Sequence, residues 1–192
     1  MPLDLTINRE NTKTISQSFD RIANELIHYY ALNLQGTLYT FTEIEFYYFD
    51  RTLHPDKYSH KHSYESGKWR FHLQGLDISL GHETEDDQHT NYGGILLRGI
   101  TTGKRYINGP KRILFHIFET LGNIELTHKE FGIVPVNNPD VQIYKSFRKG
   151  LSNRYPDFND LTYRYYHSIE QWSDSHVSLS EKKGIISKSV KF

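Results

Sequence analysis

The stretch after Gln35-Gly36 reads TLYTFTEIEFYYF, residues 37–49, and it restricts the fold of this chain more than any other. Its Thr, Tyr, Phe and Ile content and partial alternation are those of one long strand, or of two strands bending at a bulge. Glu45 stands inside it among apolar neighbours. A carboxylate in such company is costly unless it is paired, hydrogen-bonded or protonated. The acid is therefore either a satisfied structural group or a chemical one.

The rest of the chain places that strand in a mixed domain. Ile15, Phe19, Ile22, Leu26, Ile27 and Tyr30 recur at helical spacing, and Thr14 with Gln17 predicts a capping box ahead of them. His54-Pro55-Asp56 breaks the long strand. KWRFHL and LDISLG flank Gln74-Gly75, which predicts a tight hairpin. The acidic loop HETEDDQH then reads as a solvated excursion, and GGILLRGI as a buried strand interrupted by Arg98. In NGPKRILFHIFETLG, Pro110 opens a helix with Ile113, Leu114, Ile117, Phe118 and Leu121 along one face, and Gly122 ends it. IYKSFRKGLS and LTYRYYH predict late strands. This order implies a single α+β domain with a curved, mainly antiparallel sheet flanked by helices.

At 192 residues the chain has length for one substantial core, assigned here to residues 1–180, with 181–192 read as a flexible basic tail. The 14% aromatic content suits a β-rich core or an aromatic-lined pocket. No cysteine is present, which excludes disulfides and thiolate catalysis. Lys+Arg 23 balance Asp+Glu 23, so any nucleic-acid binding has to come from a local patch. The N-terminus lacks a basic start followed by an apolar core, and no apolar run approaches the ~20 residues of a membrane span. The expectation is a cytoplasmic protein with no membrane partner.

TEIEFY leading to DKYSH, then ILLRGI, then INGPKRIL resemble, in that order, the alkyladenine (3-methyladenine) DNA glycosylase family. Its members carry a T-E-x-E-x-Y strand, a D-x-x-S-H loop, a V-L-L-R strand and an N-G-P helix start. SFDRIANELIHYYALNLQG, FRKGLS and LTYRYYH extend the likeness to both ends, over about 150 residues in all. The resemblance implies base-excision-repair chemistry without a cofactor: hydrolysis of the N-glycosidic bond of a damaged or modified purine in DNA or in a nucleoside. It implies Glu45 as the base that activates water for attack on C1′, with Arg98 holding that water and pairing with the carboxylate. Tyr47, two residues after Glu45 on a strand, shares its face. With His60 it would wall a slot for an electron-poor alkylated purine. Trp69 and Asp77 are further candidate substrate contacts, and Lys68, Arg70, Lys104 and Arg105 candidate DNA contacts.

Two departures from that pattern bear on the substrate. The family's hairpin-tip tyrosine, which wedges into DNA in place of the flipped base, is missing unless Leu73 or Gln74 substitutes for it. Asp77 stands where the family has Asn, and an ionised carboxylate accepts hydrogen bonds but cannot donate them. Single-stranded DNA or a small modified nucleoside would need less wedge. Two other classes remain open. His60, His62, His72 and Asp77 are the densest cluster of metal-capable side chains and could form a hydrolytic metal site, although their spacing fits no standard zinc signature. A non-catalytic nucleic-acid or nucleobase binding module could use the same fold.

Overall fold

Asn11 starts the first helix. Its side chain accepts hydrogen bonds from Lys13 N and Thr14 N at 3.0 and 3.1 Å, and the Thr14 hydroxyl accepts one from Asn11 N at 3.1 Å. This reciprocal box satisfies donors that a first turn leaves open. Thr14 is thus the third residue of the helix, not the cap that pairs with Gln17. In the computed structural model, which describes residues 2–82, 90–122, 130–138, 141–168 and 190–191, helix α1 runs Thr12–Tyr29. It buries Ile15, Phe19, Ile22, Ala23, Leu26 and Ile27. Phe19 stacks on Phe46 at 4.7 Å and meets the Tyr163 ring edge-on at 4.9 Å, so the helix docks on the sheet through aromatic contacts.

The strands are β1 Tyr30–Leu34, β2 Thr37–Asp50, β3 His54–Pro55, β4 Trp69–His72, β5 Gly75–His82, β6 Asn91–Thr101, β7 Tyr106–Asn108, β8 Phe131–Pro135, β9 Tyr144–Ser146, β10 Arg164–Tyr166 and β11 Val190–Lys191. They form one curved antiparallel sheet in the order β11-β9-β10-β2-β6-β5-β4, with β1 joining β2 to β8. Helix α2, Pro110–Leu121, buries Ile113, Leu114 and Ile117 and ends at Gly122, whose φ of 57° suits glycine and whose N–H donates to Phe118 O. Phe118, expected on the buried face, is half exposed and stacks on Phe71 at 5.7 Å. Among the described residues the architecture is a single α+β domain. The acidic loop at 83–89 and most of the tail lie outside the described residues; residues 190–191 pair with β9.

Strand β2 is continuous but irregular: pairing with β6 steps from Phe41–Ile100 to Glu43–Gly99 to Ile44–Leu97, passing over Thr42 and Arg98. Such a step re-aims the side chains beyond it. Tyr39 and Phe41 face the core before the step, and Ile44, Phe46 and Tyr48 after it. Glu43, Glu45 and Tyr47 therefore share the opposite face. The β4–β5 hairpin turns on Leu73-Gln74, one residue earlier than the expected Gln74-Gly75, because His72 pairs with Gly75.

Candidate active site

A single cross-strand row carries the site. Register places Arg70 opposite Asp77, Asp77 opposite Leu96, Leu96 opposite Glu45, Glu45 opposite Arg164 and Arg164 opposite Ser146. Side chains in such a row project to one face of the sheet. Over the Arg70, Asp77 and Leu96 part of the row lies a cavity of about 300 Å³, the lower end of the range typical of small-ligand sites. Gly93, Gly94 and Leu96 contribute to its lining from β6, with Arg70, His72 and Asp77 from one side and Tyr47, Arg98 and Lys149 from the other.

Glu45 is 0% exposed and sits behind the wall made by Tyr47 and Arg98. Its Oε2 accepts from the Tyr47 hydroxyl at 2.8 Å and from Arg98 Nη1 at 3.2 Å, and its Oε1 accepts from Lys149 N at 2.7 Å. Glu43, two residues earlier, accepts from Arg98 Nε at 3.0 Å and Arg164 Nε at 2.5 Å. Two acids and two guanidiniums thus form one buried cluster with no net charge. Burial opposes ionisation of both acids, but the outcome differs. Glu43 is gripped by two arginines, whose charge outweighs the burial and holds it below the ordinary glutamate value. Glu45 is pushed above that value by burial, with the charge of Glu43 adding to the effect and Arg98 opposing it. Tyr47 is driven upward by burial and by the Glu45 carboxylate, so its hydroxyl stays protonated and donates.

Behind this cluster Arg148 holds the wall in place. Its guanidinium forks onto Asp56 at 2.5 and 3.3 Å, donates to Phe158 O at 2.9 Å, and lies 4.7 Å from the centre of the Tyr47 ring. The next residue is Lys149, whose N–H meets Glu45. Fixing Arg148 therefore fixes that donor as well.

Of the residues expected from sequence, the structure brings Glu45, Arg98, Tyr47, His60 and Asp77 to one place. Arg70, expected to contact DNA, lines the cavity and bridges Asp77 at 3.0 Å. Trp69 is not in the cavity lining: alternation along β4 sends Arg70 and His72 inward and Trp69 and Phe71 to the other face, where the Trp69 ring packs on Phe131 at 4.8 Å. Lys68, Lys104 and Arg105 are exposed and outside the lining, Lys68 lying 3.7 Å from Glu65. His60 stands at the exposed mouth, and partial burial of its ring together with the Arg70 charge lowers its pKa, which favours the neutral imidazole.

The four side chains considered as a metal site do not form one donor set. His62 Nε2 contacts Gly93 O at 2.6 Å and its Nδ1 accepts from Tyr64 N, which engages both ring nitrogens. No group of three or more His, Asp or Glu among the described residues is arranged to hold a metal ion. Sequence reasoning missed Glu43, Asp56, Arg148, Lys149 and Arg164. Glu43 carried a usable signal, because the alternation in TEIE that directs Glu45 to a face directs Glu43 to the same face. The partners from β10 and the loop after β9 arrive only through tertiary pairing. No family model, no curated protein and no solved structure matches the chain.

Proposed function

We propose that this chain hydrolyses the N-glycosidic bond of a damaged or modified purine nucleotide, in the manner of an alkyladenine DNA glycosylase. The reading is supported by the ordered motifs and carried by one observation: a buried, charge-balanced cluster of acids and arginines ending in Glu45, directly behind the Tyr47 and Arg98 wall of a nucleobase-sized, aromatic-walled cavity. Water attacks C1′ while the bond to the base nitrogen breaks and its electron pair leaves with the base. Arg98, at the cavity wall, holds the water. The water's proton passes to Glu45 through the Tyr47 hydroxyl, which already donates to Oε2. A fixed carboxylate there also stabilises the positive sugar of the transition state, because it acts in a site shielded from solvent.

The substrate strand would be held near Leu73, which is 88% exposed at the tip of the β4–β5 turn, next to Gln74 at the cavity rim. An apolar side chain in that place can enter the gap that an extruded base leaves.

A second reading, a binding module that holds a base without cleaving it, is favoured by the full protein satisfaction of Glu45. Incubation of the protein with duplex and single-stranded oligonucleotides bearing alkylated or deaminated purines separates the two. Abasic sites formed by the wild type and lost with Glu45→Gln support hydrolysis; tight binding with no abasic product on any substrate supports the module.

A further inference from the structure

We infer that Asp77 is the base-reading residue of this cavity and that it selects a guanine-type edge, with two adjacent N–H donors, over an adenine-type edge. This rests on the proposed nucleobase site and names its substrate class. Asp77 is 6% exposed yet lines the cavity. Its Oδ2 accepts from Arg70 Nη1 at 3.0 Å, which fixes the carboxylate plane. Its Oδ1 lies 3.1 Å from His72 Nε2 but makes no aligned hydrogen bond, so both atoms are left without one among the described residues. A buried carboxylate oxygen without a donor is costly, and a ligand N–H at that point removes the cost.

The row geometry gives the orientation. Asp77 and Glu45 lie two strands apart across Leu96, about 10 Å at ordinary strand spacing. A base lying over Leu96 with its sugar toward Glu45 turns the edge remote from the glycosidic bond toward Asp77. A carboxylate there accepts from the N1–H and 2-amino groups of a guanine-type ring, while Arg70 and His72 stand beside it as donors for the 6-oxo group. An adenine-type edge presents the N1 lone pair to the same carboxylate and is repelled. The site is also shaped for this acid: a side chain at Gly94 would put its Cβ 2.9 Å from Asp77 Cβ and 3.0 Å from Oδ2. Bare backbone at Gly94 is what lets the carboxylate stand over the cavity floor.

Titration calorimetry of the full chain with 9-methylguanine, 9-methyladenine, 9-methylhypoxanthine and 1,9-dimethylguanine tests this, because none of these carries a cleavable sugar. Binding of 9-methylguanine about tenfold or more tighter than the other three is expected, with the preference abolished in Asp77→Asn. Equal affinities, no binding, undiminished binding of 1,9-dimethylguanine, or an unchanged preference in Asp77→Asn would each overturn it. The dimethylated probe reads the N1–H contact without altering the protein. Failure of glycosylase activity leaves this ranking intact, and failure of the ranking leaves abasic-site formation by Glu45 to stand on its own.

Discussion

At the scale of single residues, Glu43 and Glu45 show how neighbouring acids on one strand face acquire different properties. Both are enclosed, and the difference lies in their partners. Glu43 takes two guanidinium donors, whereas Glu45 takes one together with a phenol and a backbone N–H. In the proposed hydrolysis Glu45 has to be ionised to accept a proton, and burial raises its pKa, so protonation would disable it at a higher pH than it would an ordinary glutamate. The acid limb of the pH–rate profile should therefore fall above the usual carboxylate range, with an apparent pKa that belongs to the coupled pair. A limb at the ordinary glutamate value would contradict that electrostatic picture. Gly94 makes a second prediction. A Cβ there would stand 2.9 Å from Asp77 Cβ and 3.0 Å from its Oδ2, so Gly94→Val should displace Asp77 and abolish nucleobase binding in calorimetry while the circular dichroism spectrum stays that of the wild type.

Elements tell which of these features the sequence could disclose. The periodicity of α1 and α2 was legible because an amphipathic helix repeats one pattern over several turns. The cap of α1 was not: Asn11 and Thr14 are both good capping residues, and the choice depends on which backbone N–H groups face the side chain. Asn11→Ala should destabilise the protein by about 1 kcal/mol in urea unfolding, while no such loss is expected at Gln17. The long β2 strand announced itself by composition, but the offset at Thr42 and Arg98 arises from pairing with β6 and has no local signature. The Trp69 misplacement has a similar origin, since alternation fixes which residues share a face without saying which face meets the cavity. The β4–β5 turn carries its own prediction. Leu73→Ala should slow base release from duplex DNA and leave release from single strands unchanged, measured side by side on the same lesion. Equal slowing on both would remove Leu73 from strand opening.

For the whole molecule, register in the antiparallel sheet aligns Arg70, Asp77, Leu96, Glu45, Arg164 and Ser146, each from a different strand, in one row, and the cavity is lined by the Arg70, Asp77 and Leu96 part of that row. Arrangement of this kind comes from long-range pairing between segments as distant as Glu45 and Arg164, which explains why the acid and its near neighbours could be named from sequence while Arg148, Arg164 and Asp56 could not. The chain as a whole carries net charge +0, so the nucleic-acid strand of the proposed reaction would be attracted only by local groups and should bind weakly compared with its binding to a strongly basic protein. The central claim is that Glu45 drives bond cleavage. Single-turnover abasic-site formation by the wild type and by Glu45→Gln, with folding of the variant verified by circular dichroism, measures this directly. The account predicts a rate loss of about 10²–10⁴-fold with nucleobase binding retained; equal rates in the two proteins would contradict it.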